Sequence, residues 1–321
     1  MKKGIIALVI LLLCAFVYQA NATTYFGCAA QEITAAGTFE DAAGCDGTAL
    51  TWASLANGDI LVANNQAITI ANDIGSAILT ATLTTEGTDY GGTDGGSFTF
   101  DISAATAKTL YVNVVAGSTV GLTVTGAGAG ADTTELTING NITGGTATSA
   151  YGVRLEHTLG VIPITGTLTG GAGTTAHAVH SATAGKFTVT GNATGVKGNG
   201  INSSDTSIFT VSGNCVADTG TSAGVGCHCG ASTGYCTLTG NIVNGPRSVG
   251  ATGAVRYTPT APSDGVTGHY VKYDGGGTAL FFGKNTDDAS KALTDFYYID
   301  PTDGGSDVGT SSGGGGGAWA N

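Results

Sequence analysis

Charge is the scarcest ingredient of this sequence: Asp, Glu, Lys and Arg together supply 11% of its 321 residues. Leucine, glutamate and lysine are thin, methionine occurs once and proline five times. That shortage excludes a bundle of amphipathic helices, which draw on those residues for both faces. Acids outnumber bases 23 to 11, a net charge of −12. A chain so acidic repels phosphate backbones, so no nucleic-acid partner is expected. No phosphate-binding loop, zinc-protease motif, nucleophile elbow or dinucleotide fingerprint occurs, so no cofactor is expected either. What is abundant is glycine, 55 residues, with threonine about as frequent. Such a mixture suits β-branched strands joined by many tight turns. The alternating Ile, Val and Leu positions still offer a core, which argues against disorder.

Long apolar runs are missing too, apart from the first residues. Lys2 and Lys3 precede an almost unbroken apolar stretch from Gly4 to Val17, followed by Ala20-Asn21-Ala22. This reads as a signal peptide over 1–22 with an A-x-A cleavage site, too short for a comfortable membrane span. Cys14 invites a lipoprotein reading, but Leu13 stands where a lipobox needs a small residue. Cleavage after Ala22 would remove two lysines and leave nine bases against 23 acids, a net of −14. The expected product is secreted, extracellular or held at the cell surface, with no membrane span in the mature chain.

An internal repeat decides the architecture. Leu136-Thr-Ile138-Asn-Gly140-Asn-Ile142-Thr-Gly-Gly145 returns from Ile162, from Phe187, from Phe209 and from Cys236. Its aligned glycines, 140, 166, 191, 213 and 240, lie 26, 25, 22 and 27 residues apart. A second short element is phased with the first. Tyr151-Gly-Val153-Arg-Leu155 corresponds to segments starting at His177, Asn199, Val225 and Gly253. Alternation sets Leu136, Ile138 and Ile142 on one face and Thr137 and Asn139 on the other. One such coil cannot bury its apolar face alone, whereas stacked coils form a continuous core. The expected fold is all-β, a right-handed parallel β-helix with coils of 22–27 residues. A left-handed hexapeptide helix would need a period of about 18, and no hexad is present.

The stack is expected over 58–257, after an N-terminal cap at 23–57. A C-terminal capping module over 258–300 would hold a hairpin, His269–Tyr273 with Thr278–Phe282. A short helix within 287–300 would bury Ala289, Leu293 and Phe296. Residues 301–321 read as a flexible glycine-rich tail, and its Trp319 is a candidate anchor for assembly. The repeat resembles the Gly-Asn-x-Thr-Gly-Gly coils of bacterial surface and phage-tail β-helix proteins over roughly residues 120–257. That resemblance implies architecture, because the family shares turn chemistry more than any catalytic motif.

Three constellations bear on function. Cys28 and Cys45 flank the N-cap and read as a disulfide pair. Cys215, Cys227, Cys229 and Cys236 all replace inward residues of the repeat. They suit two disulfides bracing one coil, or a four-thiolate metal site. The disulfide reading is preferred and no metal is assigned. Second, Arg154, His180, Asn202, His228 and Arg256 occupy one outward column, about 4.8 Å apart. They are either a solvated strand face or a ligand face for an anionic sugar. Lyase chemistry needs carboxylates for calcium, and hydrolysis needs a carboxylate pair. The acids Asp132, Glu135, Glu156, Asp205 and Asp218 share no column, so no catalytic residues are assigned. The third is a Thr-x-Thr ladder, Thr123/Thr125, Thr188/Thr190, Thr210/Ser212 and Thr237/Thr239, interrupted by Asn139 and Pro163. Taken together, these point to a secreted or cell-surface structural and adhesive solenoid, able to assemble into filaments. Its partner would be a polysaccharide, a cell surface or a second copy. The alternatives are a polysaccharide-binding or polysaccharide-cleaving β-helix and, last, an ice-binding solenoid.

Overall fold

The computed structural model describes residues 22–103, 106–183, 185–203, 207–216, 224 and 226–228. It also describes, as backbone, Cys229 and the strands Tyr235–Leu238, Ile242–Val243, Val255–Tyr257, Lys272–Tyr273, Phe281–Lys284, Asp295–Ile299 and Val308–Ser312. The described residues form a parallel β-solenoid of about six turns, without an α-helix.

Each repeating coil contributes three strands, one to each face. Face 1 stacks Leu136–Asn139, Val161–Thr165, Lys186–Thr190, Ile208–Val211 and Tyr235–Leu238. Face 2 stacks Ile142–Thr143, Leu168–Thr169, Ala193–Thr194, Cys215–Val216 and Ile242–Val243. Face 3 stacks Val153–Leu155, Val179–Ser181, Ile201–Ser203, Cys227–Cys229 and Val255–Tyr257. All of these pairs are parallel, and the register is the one the repeat dictates. Ile138, Ile164, Val189, Val211 and Leu238 are successive partners. The first four are at most 1% exposed, so the interior row expected from the alternation is present. Phe187 and Phe209 stack beside it with ring centroids 5.1 Å apart.

Glycine makes the sharp corner between faces 1 and 2. Gly191 has φ +142°, and a Cβ there would meet the Gly166 carbonyl oxygen at 2.0 Å. No side chain fits between coils at that point, so the repeat keeps glycine. The residue after the corner ties one coil to the next. Asn113 Oδ1 accepts the Asn141 N–H at 2.9 Å, Asn141 Oδ1 that of Thr167 at 3.0 Å, and Asn192 Oδ1 that of Asn214 at 3.0 Å. Earlier in the chain Lys108–Val115 lacks the glycine and runs through faces 1 and 2 as a single strand.

At the N-terminal end the stack begins sooner than expected. Thr24–Gly27, assigned above to the cap, pairs in parallel with Ile60–Val62 and antiparallel with Phe39–Glu40. Ile33 and Phe39 are 1% and 2% exposed, and Phe39 stacks on Phe98 with centroids 6.3 Å apart. These residues cover the first coil's open core.

In the C-terminal segment Lys272–Tyr273 pairs antiparallel with Phe281–Lys284, as the expected hairpin requires. The helix expected over 287–300 is corrected. Asp295–Ile299 is a strand paired with Phe281–Lys284 and with Val308–Ser312. The run Phe296-Tyr297-Tyr298-Ile299 is strongly strand-forming, and that preference outweighs a three-residue helical spacing. Val308–Ser312 is likewise a strand, where residues 301–321 were expected to be a flexible tail.

Candidate functional site

The five column residues expected on face 3 are register partners there, and Arg154, His180, Asn202 and His228 turn outward. Arg154, His180, Asn202, His228 and Arg256 are consecutive parallel partners, and Thr123, Thr99 and Thr69 extend the column toward the N-terminus. Their flanking residues Val153, Leu155, Val179 and Ser181 are buried, so alternation alone turns the column outward. The Arg256 side chain lies outside the described residues.

The column is bonded to itself. Asn202 Nδ2 donates to His180 Nδ1 at 3.0 Å, while Asn202 Oδ1 accepts from His228 Nδ1 and from Asn199 Nδ2, the latter at 3.2 Å. This directed network fixes His180 as a neutral ring with Nδ1 accepting. Arg154 pairs with Glu156 at 2.6 Å. Charge on this face is therefore committed along the strand, and the amides and rings are committed along the stack.

A second column joins it that the sequence reading did not single out. Tyr151, His177 and Asn199 begin the phased element three residues upstream of Arg154, His180 and Asn202. Tyr151 stacks on His180 with centroids 4.3 Å apart and on His177 at 5.5 Å. The Asn199 backbone N–H donates to His177 Nδ1 at 2.9 Å. Burial, followed by the neighbouring His180 and His228, pushes the His177 pKa down to about 3. Burial and then the Arg154 guanidinium push His180 down to about 4. The repeat alignment carried these positions, and a search for aromatic or His residues at any phased position would have found them.

His157, fully buried between faces 3 and 1, has its Nε2 3.0 Å from the Lys186 carbonyl oxygen, and burial lowers its pKa. On the interior side of face 3, Ser181 and Ser207 share a hydrogen bond of 2.7 Å.

Cys28–Cys45 and Cys215–Cys227 are disulfides. Cys215 and Cys227 are fully buried, and the bond joins faces 2 and 3 of one coil across the core. A four-thiolate metal site is thereby overturned, since two of its four sulfurs are bonded to each other and cannot act as thiolates. Cys229 aligns with Ser203 and Cys236 with Phe209, both inward partners, and the two cysteine side chains lie outside the described residues. Trp319 lies outside them as well. Replacing Cys215 and Cys227 together by alanine should lower stability by about 2–4 kcal/mol, because a short closed loop is released in the unfolded chain. A urea titration of the double variant checks this, and an unchanged midpoint would show that the bond braces nothing.

Several carboxylates among the described residues serve turns. Asp59 accepts the backbone N–H groups of Thr23 and Ala56, Asp94 those of Gly87 and Thr88, and Asp73 that of Thr109. Asp132 pairs with Lys186 at 2.7 Å. No protein-family model, curated protein or solved structure matches the chain. The likeness to bacterial surface and phage-tail coils rests on the repeat itself.

Proposed function

We propose that this chain is a structural and adhesive rod that works outside the cell or at its surface. The observation that supports this reading is the self-bonded column of face 3. Its donors and acceptors hold coil to coil, and its one described ion pair is internal. Two disulfides favour an oxidising compartment. Cys229 and Cys236 would form a third bond, from the end of that coil to the start of the next, detectable as an absence of free thiols in non-reducing mass spectrometry of secreted protein.

The polysaccharide alternative draws less support. Cleavage needs carboxylates at liberty to move protons or to bind calcium, and on the repeating coils Asp132 and Glu156 are paired with cations while Glu135 accepts the Ala129 N–H. Purified protein incubated with polygalacturonate should therefore generate no new chain ends, while negative-stain images show rods, single or joined. Sustained release of oligosaccharide would overturn the reading. Trp319 enters it as the tether: deleting residues 313–321, which spares the strand Val308–Ser312, should leave the β-type circular dichroism intact and lower self-association or surface retention. Unchanged sedimentation and unchanged cell attachment would remove the tail from the scheme.

A further inference from the structure

Faces 1 and 2 present a different surface from face 3. From Thr109 onward, segments 109–115, 136–143, 162–169, 187–194, 209–216 and 236–243 contain no Asp, Glu, Lys or Arg, although the chain holds 23 acids and 11 bases. The charges of these coils sit at the margins, as in the Lys186–Asp132 pair. The five described coils among them turn twenty side chains outward, and threonine fills half of those positions. The hydroxyls of Thr165, Thr188, Thr190, Thr194 and Thr210 donate to no protein group among the described residues. On face 3 side chains of successive coils bond to one another, whereas the threonine hydroxyls just named are left to solvent.

The geometry of those hydroxyls is a lattice. Thr165 partners Thr190, and Thr188 partners Thr210, in parallel register. Neighbours along the stack are about 4.8 Å apart, and alternate residues along a strand about 6.6 Å apart. Behind them Ile164, Val189 and Val211 are packed at 0–1% exposure, which holds the array flat and fixed. Pro163 and Asn139 break the rows, so the patch centres on Thr165, Thr188, Thr190 and Thr210.

Three occupants suit an uncharged face, and magnitudes choose among them. A second copy needs about 800 Å² from each partner. Five strands at about 4.8 Å, four residues wide at about 3.3 Å, give each face only about 300 Å². A saccharide surface calls for aromatic rings on which sugars stack, and Tyr111 is the one aromatic among the twenty described outward positions. Ordered water needs neither area nor rings. A threonine hydroxyl both donates and accepts, so it can replace a water in a lattice, and its methyl fills a void between waters. A charged group would hold its own hydration shell and disrupt that order. Many weak, equivalent contacts on one rigid plane then act together.

We infer that face 1 forms an ice-binding surface, centred on Thr165, Thr188, Thr190 and Thr210, whose hydroxyls and methyls join the first water layer of an ice crystal. This goes beyond the rod reading and does not depend on it.

The test is growth of single ice crystals in solutions of the purified protein, scored by the gap between melting and freezing points and by faceting. The wild type should facet crystals and open a gap. T165K/T190K should lose both, and T99K, the same change on face 3, should keep them. T190V and T190S, which remove the hydroxyl and the methyl separately, should each narrow the gap while circular dichroism shows an intact fold. A folded wild type that leaves crystals round, with no gap, overturns the inference. It is equally overturned if wild type sediments with insoluble cellulose or chitin, or self-associates, without touching ice growth.

Discussion

A variant with Val189 replaced by aspartate should lose the cooperative melting of the central coils, at a cost of several kcal/mol. Val189 is 1% exposed and sits between Ile164 and Val211 in the interior row. A carboxylate there would find no cation, since the positions around it on faces 1 and 2 are apolar or cysteine. In a solenoid each coil contacts only its neighbours, so the damage should be local at first. The melt should split, with the N-terminal coils surviving to a higher temperature than those from Lys186 onward. Thr188→Asp provides the contrast. That residue points outward one position away, and its change should shift stability by no more than about 0.5 kcal/mol. Equal melting curves for the two variants would mean that inside and outside have been assigned wrongly.

Acid should loosen the same region well before it protonates the turn carboxylates. His177 and His180 are held neutral in the fold, with pKa values pushed to about 3 and about 4, against the usual 6.5. The unfolded chain takes up protons at these sites below pH 6.5 and the folded chain does not. Stability is therefore complete above pH 6.5 and declines as pH falls toward the folded values. The groups that face these rings are Tyr151, the Arg154–Glu156 pair, Asn199, Asn202 and His228. None of them supplies an anion to an imidazolium, because Glu156 is already paired. Protonating His180 would also remove the acceptor for Asn202, and turning that amide would break its two other bonds. The loss between pH 7 and pH 4 should be on the order of a few kcal/mol. Asp94 and Asp101, held below 3.8 by backbone amides, add their share only at lower pH. Urea midpoints at pH 7, 5.5 and 4.5 isolate the histidines, and His180→Gln should flatten the profile. A profile already flat in the wild type would sink the argument.

Much of this was legible because a solenoid repeats its constraints. Gly140, Gly166 and Gly191 mark the same corner, and their spacing alone fixed which residues of faces 1 and 3 became partners. Alternation then assigned inside and outside, down to the cysteines that occupy inward positions. The contact of Tyr151 with His180 was not legible. It crosses from one coil to the next and also from a corner to a strand, and such a step depends on how the loop before Tyr151 closes. The chemistry of face 3 was readable as a column of residue types, but whether its amides met a ligand or each other is a matter of side-chain rotamers. At Asp295–Ile299 two patterns overlapped, a helical spacing and an aromatic run, and pairing with neighbouring strands decided between them.

The glycine corner has a further consequence for how the chain can change. Four residues separate Ile138 from Ile142, and the same interval recurs at every aligned glycine. Between faces 2 and 3 the connecting segment ranges instead from six residues, 195–200, to eleven, 244–254. One edge of the prism is thus a fixed spine and another is elastic, and lengthening a surface loop costs little closure entropy. Peptides grafted at the elastic edge, for instance within 146–149 or 172–175, would leave the pitch untouched. They would stand in single file about 4.8 Å apart, so the molecule could serve as a ruler on which cargo is mounted coil by coil.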